Sequence, residues 1–130
     1  EGEPARSFAE RRAKGSALRD VAGMLRSFDY GRWTALRHAR ERGQDSMPLM
    51  MAAAHAWASS CRHAFLEAYG EHIADAPASG TPDIGQLTLF ELEKALYELR
   101  YEINNRIDWV HVPLQGILAL LDTDPADGVA

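Results

Sequence analysis

The stretch LTLFELEKALYELRYEINN, residues 87–105, decides the fold class of this chain. Its large aliphatic side chains recur every three or four residues, which is the repeat of an amphipathic α-helix. The polar pair Asn104-Asn105 ends the pattern. We therefore predict a helix over about 87–105. The stripe that we assign to its core face comprises Leu92, Leu96, Leu99 and Ile103.

A second stripe of the same helix carries aromatic and charged side chains. It lies about 200° around the helix axis from the leucines. Tyrosine rings can stack on sugars and other rings, while Lys and Glu can hydrogen-bond to polyol hydroxyls. We interpret this face as a candidate sugar-binding site, the alternative being a second packing surface against a neighbouring helix. Its members are Phe90, Lys94, Tyr97 and Tyr101, with Glu91 and Glu98 beside them.

Two helices are predicted before residue 43. Apolar residues at helical spacing indicate the first helix over about 16–30, with Ser16 as a favourable N-cap. A second, short helix is predicted over about 32–42. It ends at Gly43, because glycine is the residue most often found just past a helix C-terminus.

A long helix is predicted over about 48–73, where Pro48 suits the first turn. We expect it to be the central core helix, because its apolar residues again follow a helical repeat. That stripe comprises Trp57, Cys61, Ala64, Phe65 and Ala68.

The remaining segments complete an all-α prediction. Proline and glycine interrupt residues 75–85, so we expect a loop there. Pro113 opens a last short helix that reaches about Leu121. We predict about five helices in one domain over 1–122 and a flexible tail over 123–130, because the tail is polar and rich in small residues.

Composition excludes several classes of protein. The chain has 130 residues, a net charge of -5 and one cysteine, Cys61, so it holds no intrachain disulfide. A lone cysteine favours a reducing compartment, and we expect a cytoplasmic protein. No apolar run reaches the roughly 18 to 20 residues that span a bilayer.

The charges are divided between the front and the back of the chain. Residues 1–42 hold ten Arg or Lys against six acids, and residues 43–130 hold four against thirteen. The basic residues of the front alternate with alanine and leucine at helical spacing, which is typical of a solvated helix face. We therefore predict neither a nucleic-acid nor a membrane partner.

Metal binding and nucleophilic catalysis find little support in the sequence. On the long predicted helix, His55 and His63 lie about 80° apart around the axis, and His63 and His72 about 180°. These histidines do not converge on a zinc ion. Cys61 lies on the apolar stripe, where an inert buried thiol is the more common state.

The sequence resembles the C-terminal part of bacterial maltokinases. Residues 90–109 read FELEKALYELRYEINNRIDW, and residues 113–117 read PLQGI. The front, with EGEP at 1–4 and LRDVAGMLRSF at 18–28, is similar to the segment that follows the magnesium-binding aspartate of that family. Maltokinases resemble aminoglycoside phosphotransferases, with a nucleotide-binding N-lobe and a largely helical C-lobe.

The resemblance implies a function. Maltokinases use ATP and Mg²⁺ to phosphorylate maltose to maltose 1-phosphate for α-glucan (glycogen) synthesis, and many are fused behind a trehalose synthase domain. This chain would supply the acceptor-sugar helices of the C-lobe, and Glu1 would lie near the magnesium ion. The substrate-binding residues that the resemblance implies are Phe90, Lys94, Tyr97, Glu98 and Tyr101.

The same resemblance places the catalytic groups outside this chain. The sugar-orienting aspartate, the ATP-binding lysine and the metal aspartate would all precede Glu1, so we expect the chain to be the last part of a longer enzyme and to be inactive alone. Two alternatives stay open. One is the C-lobe of another small-molecule kinase of this superfamily, and the other is a helical interaction module that docks a protein such as trehalose synthase.

Overall fold

The computed structural model describes residues 16–43, 46–74 and 84–122. No strand occurs within these ranges, and the predicted all-α class is confirmed. None of the described helices has both the length and the apolarity needed to cross a bilayer. The elements are α1 (Leu18–Glu41), α2 (Met47–Ala74), α3 (Ile84–Asn105), a 3-10 turn (Ile107–Trp109) and α4 (His111–Asp122).

Helix α1 is continuous where the sequence pattern predicted two helices. Leu25 and Leu36 are buried on the same side of it, so the apolar face runs on through the expected break. Gly31, at that break, stays helical and lies under an aromatic ring: a Cβ built on it would be 3.2 Å from Cη2 of Trp57. The described residues therefore form four α-helices and a 3-10 turn where about five helices were predicted.

The two ends of α1 follow the predicted signals closely. Ala17 holds the N-cap position, one residue after the predicted cap. The Ser16 hydroxyl still accepts a hydrogen bond from the Leu18 amide at 3.3 Å, satisfying one of the unpaired donors of the first turn. At the other end Gly43 has φ +69°, the left-handed conformation that glycine adopts without steric cost.

The central helix is α1, and the prediction that α2 is central was wrong. Helix α1 packs against α2, α3 and α4, whereas the backbone of α2 packs closely on α1 alone among the described helices and reaches α3 through side chains such as Arg62. Ala58 is the one buried side chain among those described on α2, and Trp57 is about half exposed. The apolar residues of this alanine-rich helix are spread around its axis and do not form one dominant stripe, so the row of large residues did not predict its position.

The main apolar cluster joins α1 to α3, with α2 packed against it. Partly buried aromatic rings surround the cluster, and Phe28 meets both Trp57 and Phe65 edge-to-face. This cluster sets the distance between the three longest helices. Its buried members are Leu18, Val21, Ala22, Leu25 and Leu87.

Helix α3 packs on α1 through a face other than the predicted one. The buried residues of α3 are Leu87, Glu91, Ala95 and Glu102. The stripe predicted as core is instead exposed at Leu96 and Ile103 and half-buried at Leu92 and Leu99. Arginines and a tyrosine of α1 and α2 meet the acids of the buried face, and such partners offset the cost of burying charge.

Candidate functional site

The predicted sugar face lies along the flank of α3, beside the face that packs on α1. Phe90, Lys94 and Tyr97 are half-buried there, and Tyr101 is exposed. Glu98 is separated from them, because its carboxylate points into the α1–α3 interface and contacts an arginine. The structure thus brings four of the five predicted substrate-binding residues onto one flank, while Glu1 lies outside the described residues.

Each aromatic ring of this flank has a cation beside it. The Lys94 Nζ atom lies 5.1 Å from the centroid of the Tyr97 ring. The guanidinium carbon of Arg106 lies 5.7 Å from the centroid of Tyr101, within the range of a cation–π contact. Phe90 packs against the apolar cluster and is therefore also a structural residue.

A cleft of about 200 Å³ opens at the C-terminal end of the flank. Asn104 and Asn105 hold their side chains there through amide hydrogen bonds to the carbonyls of Arg100 and Tyr101, at 2.7 and 2.8 Å. The cleft therefore combines two phenol rings with amide and guanidinium groups. Its lining residues are Tyr97, Arg100, Tyr101, Asn104 and Asn105.

Three of these lining residues were absent from the predicted site. Arg100 follows Tyr97 by three positions, and Asn104 and Asn105 follow Tyr101 by three and four. Residues at these spacings are neighbours on a helix surface. The spacing was therefore a usable signal, but the asparagines had been interpreted only as a helix end.

A buried ionic network fixes α3 behind the cleft. Arg26 donates from Nε to Glu98 Oε2 at 2.9 Å and from Nη1 to Asp29 Oδ2 at 2.6 Å. Burial raises the pKa of Glu98, and the Arg26 charge opposes that shift. Glu98 thus serves the packing of α1 on α3, and its carboxylate is already engaged by protein.

A second buried acid is held one turn further along α3. Tyr30 donates its hydroxyl hydrogen to Glu102 Oε1 at 2.9 Å, and Arg106 donates from Nε to Glu102 Oε2 at 2.9 Å. Burial and this hydrogen bond raise the pKa of Tyr30 well above its ordinary value. Tyr101 and Asn105, which flank Glu102 on the helix, are therefore attached to a firmly anchored turn.

Glu91 is the third buried acid of α3, and it binds α2. Arg62 donates to both of its carboxylate oxygens, from Nη1 at 2.6 Å and from Nη2 at 2.8 Å. Burial acts to lower the pKa of Arg62, but the hydrogen bonds to Glu91 and the negative charges of Glu91 and Asp29 together outweigh it and raise the pKa. This fork geometry is the strong form of an arginine–carboxylate contact.

A larger groove of about 450 Å³ lies beside the C-terminal half of α1, where the 3-10 turn and the start of α4 meet it. Its tryptophan faces are already covered by protein. Trp109 stacks on Tyr30 with ring centroids 6.2 Å apart, and the guanidinium carbons of Arg37 and Arg106 lie 5.4 and 5.3 Å from its ring. The lining residues are Trp33, Leu36, Arg37, Arg40, Glu41, Met47, Asp108, Trp109 and His111.

The other tryptophan of the groove is covered in the same way. Trp33 meets the His111 ring edge-to-face at 4.8 Å, and the Arg32 guanidinium carbon lies 5.4 Å from the Trp33 ring. A sugar that stacked on either tryptophan would have to displace these contacts. The tyrosine rings of the cleft also have cations beside them, Lys94 and Arg106. The cleft is the candidate site because it contains Tyr97 and Tyr101 of the sugar face predicted from the sequence.

The described residues do not form a magnesium cage. Within 16–43, 46–74 and 84–122, no three of His, Cys, Asp and Glu come together. Glu91, Glu98 and Glu102 of α3 are each engaged by an arginine, so these carboxylates do not fit the role of ligands for a resident magnesium ion. Compared with known families, the sequence matches no family model.

Proposed function

We propose that this chain is the acceptor-sugar-binding part of an ATP-dependent kinase of the maltokinase kind. The longer protein would transfer the γ-phosphoryl group of ATP to the anomeric hydroxyl of maltose, in trehalose-to-glycogen metabolism. The observation that carries the proposal is the cleft in which Tyr97 and Tyr101 meet Arg100, Asn104 and Asn105.

The chemistry of the cleft suits a neutral polyol. Binding sites for small molecules combine aromatic walls with a few convergent polar groups. Here the two phenol rings offer stacking surface, and the guanidinium and amide groups offer hydrogen bonds to hydroxyls. Lys94, beside Tyr97, adds a cation at the edge of this surface.

The volume of the cleft indicates a partial site. At about 200 Å³ it is smaller than the pockets of roughly 300 to 1,000 Å³ that enclose a whole ligand. We infer that it holds one ring of a disaccharide, and that the longer enzyme encloses the other ring and the nucleotide.

The buried ion pair and hydrogen bond of Glu98 and Glu102 also support the proposal. A binding site needs its side chains held in place by supporting contacts on rigid elements. Arg26 bonds to Glu98, which directly follows Tyr97, and Tyr30 bonds to Glu102, which directly follows Tyr101. These bonds hold the turn of α3 that presents Tyr97 and Tyr101.

Catalysis in this proposal belongs to groups outside the described residues. Phosphoryl transfer depends on positioning and on charge stabilisation by Mg²⁺, a lysine and an aspartate. The described residues bind and orient the acceptor, and ATP and Mg²⁺ would bind elsewhere in the longer protein. The chain alone is therefore expected to bind maltose but to show no ATP-dependent turnover.

The test is a titration of the chain with maltose in which binding is monitored by calorimetry and by amide chemical shifts. Tyr97→Ala should weaken maltose binding about tenfold, equivalent to about 1.4 kcal/mol. Leu118→Ala, at an exposed leucine of α4 outside the cleft, is the matched control and should bind as the wild type does. Equal affinity of all three proteins, or no maltose binding at all, would reject the cleft as the sugar site.

An assay of the longer enzyme identifies the acceptor. Maltose, glucose and an aminoglycoside are offered side by side with ATP, and the proposal requires a preference for maltose with the product blocked at the anomeric carbon. In that enzyme Tyr97→Ala should raise the KM for maltose more than it lowers kcat, as expected for lost binding. A preference for another acceptor would favour a different small-molecule kinase.

A helical interaction module is the second candidate, favoured by the exposed apolar residues of α3 and α4. Exposed apolar patches commonly mark protein–protein contacts. In that case Tyr97→Ala would weaken association with a partner such as trehalose synthase, while the kinetics with maltose would stay unchanged.

A further inference from the structure

One face of α3 is apolar, exposed and uncovered by any other described helix. Leu89, Leu96 and Ile103 are 65%, 52% and 54% exposed. They recur every seven residues and so form a line along the helix, opposite the face that packs on α1. Single exposed leucines are common, but a continuous line of them marks an interaction surface.

The spacing of this line is that of a helix-pairing seam. The half-buried Leu92 and Leu99 lie between its members, which completes an alternation of three and four residues from 89 to 103. Apolar residues at alternating intervals of three and four are the pattern by which two α-helices pair. The surface therefore fits another helix with the same spacing.

We propose that the occupant is α3 of a second copy of this chain, running antiparallel. Glu93 and Arg100 border the seam on its exposed side, seven residues apart and opposite in charge. When Leu96 packs beside Leu99 of the second copy, Glu93 lies next to the second copy's Arg100, and the two-fold axis repeats the contact. Opposite charges at the edge of such a seam set partner and register.

Other arrangements lose this complementarity. Sliding the antiparallel pair by one heptad sets the two Glu93 side chains against each other, and like charges in contact are unfavourable. In a parallel pair Glu93 faces Thr88 and Arg100 faces Ala95 of the second copy, so no Glu–Arg contact forms. The charges therefore select the antiparallel register centred between Leu96 and Leu99.

Glu93 already makes an exposed ion pair within the chain. Arg19 Nη1 lies 2.6 Å from Glu93 Oε1, and both side chains are more than two-fifths exposed. An exposed ion pair of this kind contributes little stability, about 0 to 1 kcal/mol, so Glu93 can exchange or share partners. The association depends on the apolar seam and does not rest on the proposed sugar site.

The first test is sedimentation equilibrium of the 130-residue chain without ligand, over a concentration series. The wild type should sediment as a dimer of the 14.4 kDa chain. Leu96→Glu should sediment as a monomer, with helix content unchanged by circular dichroism. Leu118→Glu, at a residue 53% exposed on α4, is the matched control and should remain a dimer.

The second test addresses orientation by charge reversal. Glu93→Arg or Arg100→Glu alone should weaken the dimer at least tenfold, whereas the double reversal should restore it. Arg19→Ala, which removes only the contact within one chain, should leave the dimer intact. A monomeric wild type, a dimer that survives Leu96→Glu, or a double reversal that fails to restore association would each overturn the proposal.

Discussion

Arg26 and Glu98, 72 positions apart in the sequence, form an ion pair in the interior of the protein, 2.9 Å from Nε to Oε2. The Arg26 side chain is 2% exposed and that of Glu98 is 11% exposed. A guanidinium in such a place needs its carboxylates, because an uncompensated buried charge is strongly destabilising. This pair therefore couples the central helix α1 to the helix that carries the candidate site.

Removing one partner of this pair should be costly. Glu98→Gln leaves Arg26 buried with Asp29 as its remaining carboxylate, and we expect the free energy of unfolding to fall by about 3 kcal/mol, at the lower end of the range for broken buried pairs. Urea denaturation measures it. Glu93→Gln, which affects an exposed pair with Arg19, should cost about 0.5 kcal/mol or less at concentrations where the chain is monomeric. Equal losses in the two variants would contradict the buried role of Glu98.

A glycine of α4 makes room for the same arginine. A Cβ built on Gly116 would overlap the Arg26 guanidinium, with Cζ at 2.6 Å. Because Arg26 is held by two carboxylates, we expect Gly116→Ala to destabilise the protein by about 1 to 3 kcal/mol. Gly23→Ala in α1 is the control: nothing lies within 4 Å of its Cβ, and alanine should add about 0.5 to 1 kcal/mol of stability. Thermal denaturation distinguishes the two signs.

The hydrogen bond from Tyr30 to Glu102 should make stability fall in alkali. The pKa of Tyr30 is raised in the folded state, so above about pH 10 the unfolded chain loses this proton first and the free energy of unfolding decreases. Tyr30→Phe should be about 1 kcal/mol less stable at neutral pH. Its disadvantage should shrink as the pH rises above 10.

Urea denaturation across an alkaline series checks this prediction. Tyr101→Phe, at an exposed ring, is the control and should keep the wild-type decline. Parallel pH profiles for the wild type and Tyr30→Phe would show that Tyr30 does not contribute to the alkaline loss.

Substitutions at two leucines test which face of α3 is buried. Leu87 is buried in the apolar cluster, and Leu87→Ala should cost about 2 to 5 kcal/mol. Leu96 is exposed, and Leu96→Ala should change stability by about 0.5 kcal/mol or less when measured at concentrations where the chain is monomeric. The leucine pattern alone predicts the reverse order, so the comparison decides between the two faces.

The positions of the helices could be predicted from the sequence. Residues 47–74, 84–105 and 111–122 were each predicted as helices to within a few residues. Signals such as Pro48 and Gly43 act within one or two turns, so a local pattern contains most of the information needed to place helix ends. The predicted break near Gly31 was wrong, because the buried face of α1 continues through it from Leu25 to Leu36.

The candidate site could be predicted only in part from the sequence. Tyr97 and Tyr101 were identified from their spacing, and the structure sets both on one cleft. Glu98 lies on the same helix but belongs to the interior, because Arg26 from a distant helix engages it. The sequence contains no local sign of that partner.

Local pattern was therefore sufficient for the all-α class and for most helix bounds, since the backbone hydrogen bonds and end signals of a helix lie within a few residues of each other. It was insufficient for the choice of buried face. Four aliphatic residues favoured one side of α3, from Leu92 to Ile103, and the acids favoured water. The tertiary structure reversed that choice, because Arg26, Arg62 and Tyr30 neutralise or hydrogen-bond to those acids on folding, and these partners come from other helices.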